Sequence, residues 1–189
     1  MTRKTTVSET TKATLKDAFW ELYQKKSIEQ ISVREITDRA GYNRGTFYLY
    51  FKDVYDILDQ IEQSLIAQIY ETPLMKYSGT PCDLDTLISG IIQIYQEYFS
   101  KLKVLLGPHG DPGFTIKLQD IIKKELSRTL SIPEGFSQEA VDYYIEFVTA
   151  GILAVVMKWI SGEHSFSLED FIRSMVHMLA PLSLLEFVE

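Results

Sequence analysis

The chain has 189 residues, 46% hydrophobic and 24% charged, a balance that belongs to a folded globular protein and excludes a disordered one. A single cysteine, Cys82, excludes an internal disulfide and fits a reducing compartment. The net charge of −7 would argue against a nucleic-acid partner, but residues 1–52 hold ten Lys or Arg against six Asp or Glu, and the rest nine against twenty. A basic N-terminal segment on an acidic body is the asymmetry of a small module that meets phosphates while the remainder does not.

Residues 1–7 are polar, carry Arg3 and Lys4, and show no periodicity, so they read as a flexible arm. From residue 8 to 26 the pattern is helical, with Leu15, Ala18, Phe19, Leu22 and Tyr23 forming a core-facing stripe. The stretch 31–52 then opens with Ser32 followed three residues later by Glu35, the spacing of a reciprocal helix cap. Val33, Ile36 and Ala40 fall on one helical face, and Gly41 follows where a left-handed backbone ends a helix. Asn43 is suited to cap a second helix that turns Arg44, Thr46, Tyr48 and Tyr50 outward and Phe47 and Phe51 inward. Two short helices around a glycine turn, the second rich in hydrogen-bonding side chains, read as a helix-turn-helix.

Asp53 begins a fourth helix with Ile57, Leu58, Ile61 and Leu65 on one face, running to about residue 70. Residues 72–83, with Pro73, Gly79 and Pro81, read as a linker. Helical patterns resume over 84–100 and in a short segment, 101–106. They stop at a glycine- and proline-rich loop, 107–113, and return over 114–131 until Pro133 and Gly135 break them. Ser137 caps a long apolar helix to Ile160, residues 161–165 turn the chain, and Ser167 with Asp170 starts a last helix that ends before Pro181. Nothing alternates with period two and no hairpin signal occurs, so the expected fold is all-α with about nine helices.

Signals for catalysis or metal binding are weak. His109 lies near Asp111 but lacks ligand spacing, and His164 and His177 read as surface or interface residues. Cys82 has no basic neighbour, and there is no nucleophile elbow or glycine-rich phosphate loop. We expect no enzyme activity, no metal and no cofactor. The N-terminus lacks an apolar signal segment, and the longest stretch without charge or strong polarity, 147–157, is too short to cross a bilayer. The expected location is the cytoplasm, with no membrane partner.

The string from Ala40 to Lys52, with the preceding 31–36 and the helix from Asp53, resembles the recognition segment of TetR/AcrR-family bacterial transcription regulators. The resemblance covers about a third of the chain, residues 10–65. It implies a three-helix DNA-binding domain over 1–52, a connecting helix over 53–71, and a ligand-binding and dimerisation domain over 72–189. The implied partners are a second copy, double-stranded palindromic operator DNA, and a small-molecule effector whose binding releases a repressor. Carried over by position, Arg44 and Thr46 face base edges or phosphates. Ser32, Arg34, Tyr48, Tyr50 and Lys52 reach the phosphate backbone, Asn43 caps the recognition helix against the DNA, and Tyr42 either covers the hairpin or sits near a phosphate. One departure stands out: many relatives place a lysine where this chain has Val54, beside Asp53, leaving the helix amides as the remaining phosphate donors there. A coactivator-like interaction protein that has lost operator binding is the alternative on the same fold.

In the body, the helix after Ser137 is apolar nearly all round, with Ala150 and Gly151 allowing a neighbour to come close. Ile145, Val148, Ile152 and Val156, with Phe171, Met175 and Met178 of the last helix, form either half of a dimer interface or a core within one subunit. Tyr95, Tyr98, Phe99, Phe114, Phe147 and Met157 are either a pocket lining or plain core.

Overall fold

The structure, a computed structural model, describes residues 2–76, 84–129, 135, 137–162 and 164–179. Among these residues there are nine α-helices, one 3-10 turn and no strand, in keeping with the all-α expectation. In chain order they are α1 (Thr2–Tyr23), α2 (Val33–Ala40), α3 (Arg44–Tyr48), α4 (Val54–Tyr70) and α5 (Pro73–Lys76). They continue with α6 (Leu84–Leu105), α7 (Pro112–Thr129), α8 (Gln138–Ser161) and α9 (Leu168–Leu179). Cys82, Gly79, Pro81, Pro133, Glu163 and Pro181 lie outside the described residues. Backbone contacts divide the chain into two units, one of residues 1–67 with 108–110, the other of residues 68–107 with 111–189.

In the first unit, the stripe read from periodicity is the core: Leu15, Ala18, Phe19, Leu22 and Tyr23 are all buried. Phe19 stacks on Tyr23 with ring centroids 5.4 Å apart. Helix α2 packs against α1 and is tied to it by Arg39–Glu21 at 2.7 Å, while Lys26, just past α1, pairs with Glu35 at 2.6 Å. Helix α4 is tied to α1 where Lys16 Nζ donates to the Gln60 carbonyl at 3.2 Å. The expected arm is a correction: the backbone is helical from Thr2. Hydroxyls of Thr11 and Thr14 donate back to the carbonyls of Val7 and Thr10, so the polar end bonds within itself. A helix anchored further on also extends without a second nucleation cost, which apolar periodicity cannot report.

In the second unit, α6 and α9 pack through Ile88, Ile172 and Val176, flanked by Leu87, Ile91, Ile92, Leu168 and Phe171. Arg173 of α9 joins Asp85 of α6 at 2.8 Å. Trp159 of α8 is the hub. Its Nε1 donates to Tyr95 Oη at 2.9 Å, and its ring lies between Phe171, at 4.2 Å, and the His164 imidazole, at 3.5 Å. Helices α7 and α8 pack together, with Glu146 accepting from Lys123 and from Gln119. The caps expected of Ser137 and Ser167 are present, the hydroxyls accepting from Ala140 N and Asp170 N.

Two boundaries differ from expectation. The segment 101–106 is no separate element, because α6 runs unbroken to Leu105, with nothing at Ser100 to stop it. The supposed linker holds α5, which starts on Pro73, a residue already shaped for a first helical turn, and seats Leu74 against Gly90.

Thr149 is fully buried in α8, and its hydroxyl finds no hydrogen-bond partner among the described residues. An unpaired buried polar group costs about 1–3 kcal/mol. Thr149→Val is therefore expected to raise unfolding free energy by about 1 kcal/mol, read as a higher urea midpoint by circular dichroism. A lower midpoint would show that the hydroxyl is engaged after all.

Candidate nucleic-acid interface

The surface built by residues 32–56 rests on three caps. At α2, the Ser32 hydroxyl accepts from Glu35 N at 3.2 Å while Glu35 Oε2 accepts from Ser32 N at 3.0 Å. The same hydroxyl donates to Glu35 Oε2 at 2.9 Å, so both Ser32 donors are turned to Glu35 rather than outward. Helix α2 ends at Gly41, whose φ of +73° is a left-handed conformation that a side chain would strain by roughly 1–2 kcal/mol. At α3, Asn43 Oδ1 accepts from Thr46 N at 2.9 Å and from Thr46 Oγ1 at 3.2 Å. A Cβ on Gly45 would sit 3.1 Å from that acceptor, which explains a glycine one turn before Tyr48. Phe47 is fully buried and Phe51 nearly so, their rings 5.3 Å apart. Helix α3 has five residues and stops at Tyr48, so Tyr50 stands in the following turn, half-buried, rather than on the helix.

Seen this way, the residues implied by resemblance fall into two sets. Arg44, Tyr48 and Lys52 are exposed, and neither Arg44 nor Lys52 forms an ion pair among the described residues. Arg34 is exposed too, with Asp38 at 3.4 Å. Ser32, Asn43 and Thr46 are engaged in caps, and Tyr42 and Tyr50 are half-buried. Sequence reasoning passed over Leu49 and Tyr55, which are 78% and 56% exposed beside Tyr48 and Val54. Their positions carried no periodic signal, because α3 ends before a second turn.

The third cap corrects an expectation. Asp53 Oδ1 accepts from Tyr55 N and Asp56 N, each at 2.9 Å, and Asp56 Oδ2 accepts from Lys52 N at 2.7 Å. The Tyr55 and Asp56 amides of α4, and that of Lys52 just before it, already hold carboxylates and are not open to a phosphate. The bond from the Lys52 backbone, chiefly, holds the Asp56 carboxyl below its ordinary range.

Residues 83–180 match the description "Transcriptional regulator C-terminal region", and residues 15–61 match "Bacterial regulatory proteins, tetR family". The chain belongs to the TetR family. It is a DNA-binding transcriptional regulator. A TetR transcriptional regulator from Streptococcus agalactiae 2603V is similar in fold, with a TM-score of 0.73, 16% identity, and coverage of 93% of this chain and 97% of that one. The dihydroxyacetone kinase operon activator DhaS is similar with a TM-score of 0.62, 19% identity, and coverage of 92% and 96%. In Bacillus subtilis (strain 168), the uncharacterized HTH-type transcriptional regulator YxbF is 30% identical over 57 residues, which span 30% of this chain and only 15% of that protein.

The body of this TetR-family chain places its candidate residues unevenly. Tyr98 and Phe114 are buried and Tyr95 and Phe99 half-buried, but Phe147 and Met157 are 70% and 40% exposed, so they line no enclosed space within one subunit. Ile145 and Val148, expected at an interface, are buried in the subunit's own core. Ile152, Val156, Phe171 and Met175 are half-buried, and Met178 is exposed. Helix α8 is long and apolar enough to cross a membrane by length and composition alone, more than the stretch 147–157 suggested. A TetR regulator is a soluble DNA-binding protein, and that assigns the helix to packing. A shallow depression of about 400 Å³ in the first unit is lined by Leu22, Glu35, Asp38 and Arg39, too charged for an apolar ligand. Among the described residues no group of three or more His, Cys, Asp or Glu could hold a metal.

Glu35 supplies a pH signature. The hydrogen bond from Lys26, then those from the Ser32 backbone and hydroxyl, hold its carboxyl down to about 2 from the usual 4.5. With the folded value depressed, the unfolded chain takes the proton first, so the stabilisation is whole above about pH 4.5 and is lost toward about pH 2. The difference in urea midpoint between wild type and Glu35→Gln should be present at neutral pH and close across that window. A difference that persists to the acid end would remove the carboxylate from the account.

Proposed function

We propose that the protein is a homodimeric, cytoplasmic repressor that reads a palindromic operator and leaves it when a small molecule binds the C-terminal body. We assign residues 1–52 to DNA contact, 53–71 to the connection, and 72–189 to ligand binding and dimerisation; no chemistry is assigned to the chain. The observation that carries the DNA reading is the presentation of Arg44 and Tyr48 by a capped, buried-phenylalanine helix in the only basic part of the chain. Arg44, free of any carboxylate among the described residues, suits a bidentate guanine contact. Arg34, Tyr48, Tyr50 and Lys52 suit phosphates, while Ser32, Asn43 and Thr46 act through the caps that hold them there. Effector binding shifts the balance only as far as its affinities for the two dimer states differ.

Dimerisation is supported by the face of α8 that the subunit leaves bare. Tyr143 and Phe147 are 71% and 70% exposed, and Ala150, Gly151, Ala154 and Met157 continue the same helical stripe, with Met178 exposed on α9. The small residues midway let a second helix approach, and a two-fold partner sets the two recognition helices about 34–36 Å apart for a palindrome. This stripe replaces the inward-facing Ile145 and Val148 as the assigned interface.

A second reading is favoured by the acidic cap of α4, where Asp53 and Asp56 would repel phosphates: an interaction protein on the same fold that acts without binding an operator. DhaS, similar in fold, is described as an activator, so the sign of regulation is tested together with DNA binding. Duplex DNA from upstream of the protein's own gene should be retarded in gels, with Arg44→Ala weakening binding roughly 5- to 150-fold, the reach of about 1–3 kcal/mol. Failure of the wild-type protein to retard any such duplex would leave the interaction-protein reading standing. Separately, Phe147→Asp should convert a dimer to a folded monomer in sedimentation velocity; an unchanged dimer would place the interface elsewhere.

A further inference from the structure

The cations of the first unit are unequally committed. Lys26, Arg34 and Arg39 pair with Glu35, Asp38 and Glu21. Lys16 donates to the Gln60 carbonyl, and burial, then its neighbour Lys12, lowers its affinity for a proton. Lys12, Lys25, Arg44 and Lys52 form no ion pair among the described residues. Lys25 lies past the far end of α1, about 20 Å along the chain axis from Lys12 at 1.5 Å per residue. Lys12 is the one that reaches the exposed end of the helix-turn-helix: its Nζ lies 5.9 Å from the centroid of the buried Phe51 ring, one residue before Lys52.

That end of the module has a deficit to make up. A helix N-terminus ordinarily attracts an anion through free amides and its dipole. Here the amides of Lys52, Tyr55 and Asp56 are closed by two carboxylates, which add negative charge at the place where a phosphate would pass. An ammonium held against the Phe51 face, beside Lys52 and near enough to act on Asp56, offsets that charge. Its like-charged neighbour Lys16 disfavours a retreat along α1.

We propose that Lys12 is a phosphate-contacting residue of the DNA interface, an α1 side chain that works with Lys52 in place of the amides closed by Asp53 and Asp56. The inference rests on the DNA-binding reading above, and it separates from that reading because phosphate contacts act on any sequence. The probe is a random-sequence 30-base-pair duplex, with binding of the full chain followed by fluorescence anisotropy over a series of salt concentrations. Each lost phosphate contact makes the slope of log affinity against log salt shallower by about 0.9. Lys12→Gln should show that change per bound protomer, and Lys12→Arg should keep the wild-type slope.

A purely structural lysine, needed only to cover Phe51, would give a lower melting temperature and an unaltered slope in Lys12→Gln. That outcome overturns the proposal while leaving DNA binding intact. Absence of wild-type binding at every salt concentration would overturn the DNA-binding reading and this one with it. A further arm, Asp56→Asn, keeps an acceptor for the Lys52 amide and removes one charge. It should raise affinity for the same duplex at low salt, and unchanged or lowered affinity would contradict the charge deficit on which Lys12 is argued to act.

Discussion

A five-residue helix has no stability of its own, and the recognition element of this protein is one. What holds α3 in place is the burial of Phe47 on one side and the Asn43 cap at its start, with Phe51 closing the far end. Burying a phenylalanine side chain is worth about 1.5–3 kcal/mol, against about 0–1 kcal/mol for an exposed ion pair. The outward residues can therefore be chosen for DNA without regard to packing, because the inward ones and the cap already determine where the backbone runs. Gly41 and Gly45 follow from the same constraint. One makes the left-handed turn and the other leaves room for the cap's acceptor.

Where apolar spacing and polar caps coincide in the sequence, the fold was legible. The α1 stripe, the Ser32–Glu35 box and the Ser137 and Ser167 caps all rest on side chains a few residues apart, and all are present. The reading missed what local pattern does not encode. Helix α1 runs on to Thr2 without any apolar stripe, and Pro73–Lys76, at the start of the expected linker, is a helical turn that sets Leu74 beside Gly90. In α8 the residues are apolar on every face, so periodicity had no power to say which side turns inward. Ile145 and Val148 went to the core and Phe147 to the surface by tertiary contacts alone.

The candidate site was legible as a location and less so as a set of roles. Resemblance turned Ser32 toward a phosphate and Thr46 toward bases or phosphates, with the α4 amides as further phosphate donors, while Asn43 read as a cap. Geometry gives Ser32, Asn43, Thr46 and the Tyr55 and Asp56 amides intramolecular partners already. A capping hydroxyl and a phosphate-binding hydroxyl look alike in sequence, since both are small polar groups at a helix start. Only the hydrogen-bond accounting separates them.

That accounting also bears on how affinity and specificity divide in this chain. Carboxylates at α4 stabilise the helix through its amides and dipole while opposing a phosphate at the same end. An arrangement of this kind trades sequence-independent attraction for stability of the scaffold, and under the proposed DNA contacts it would leave a larger share of the binding energy to side chains such as Arg44. Since the non-specific term is the one that competes across every site in a genome, lowering it need not lower selectivity. A regulator with an acidic body and an acidic helix cap is then not a poorly built DNA-binding protein. With attraction confined to its basic first module, a few well-placed cations decide where such a chain binds.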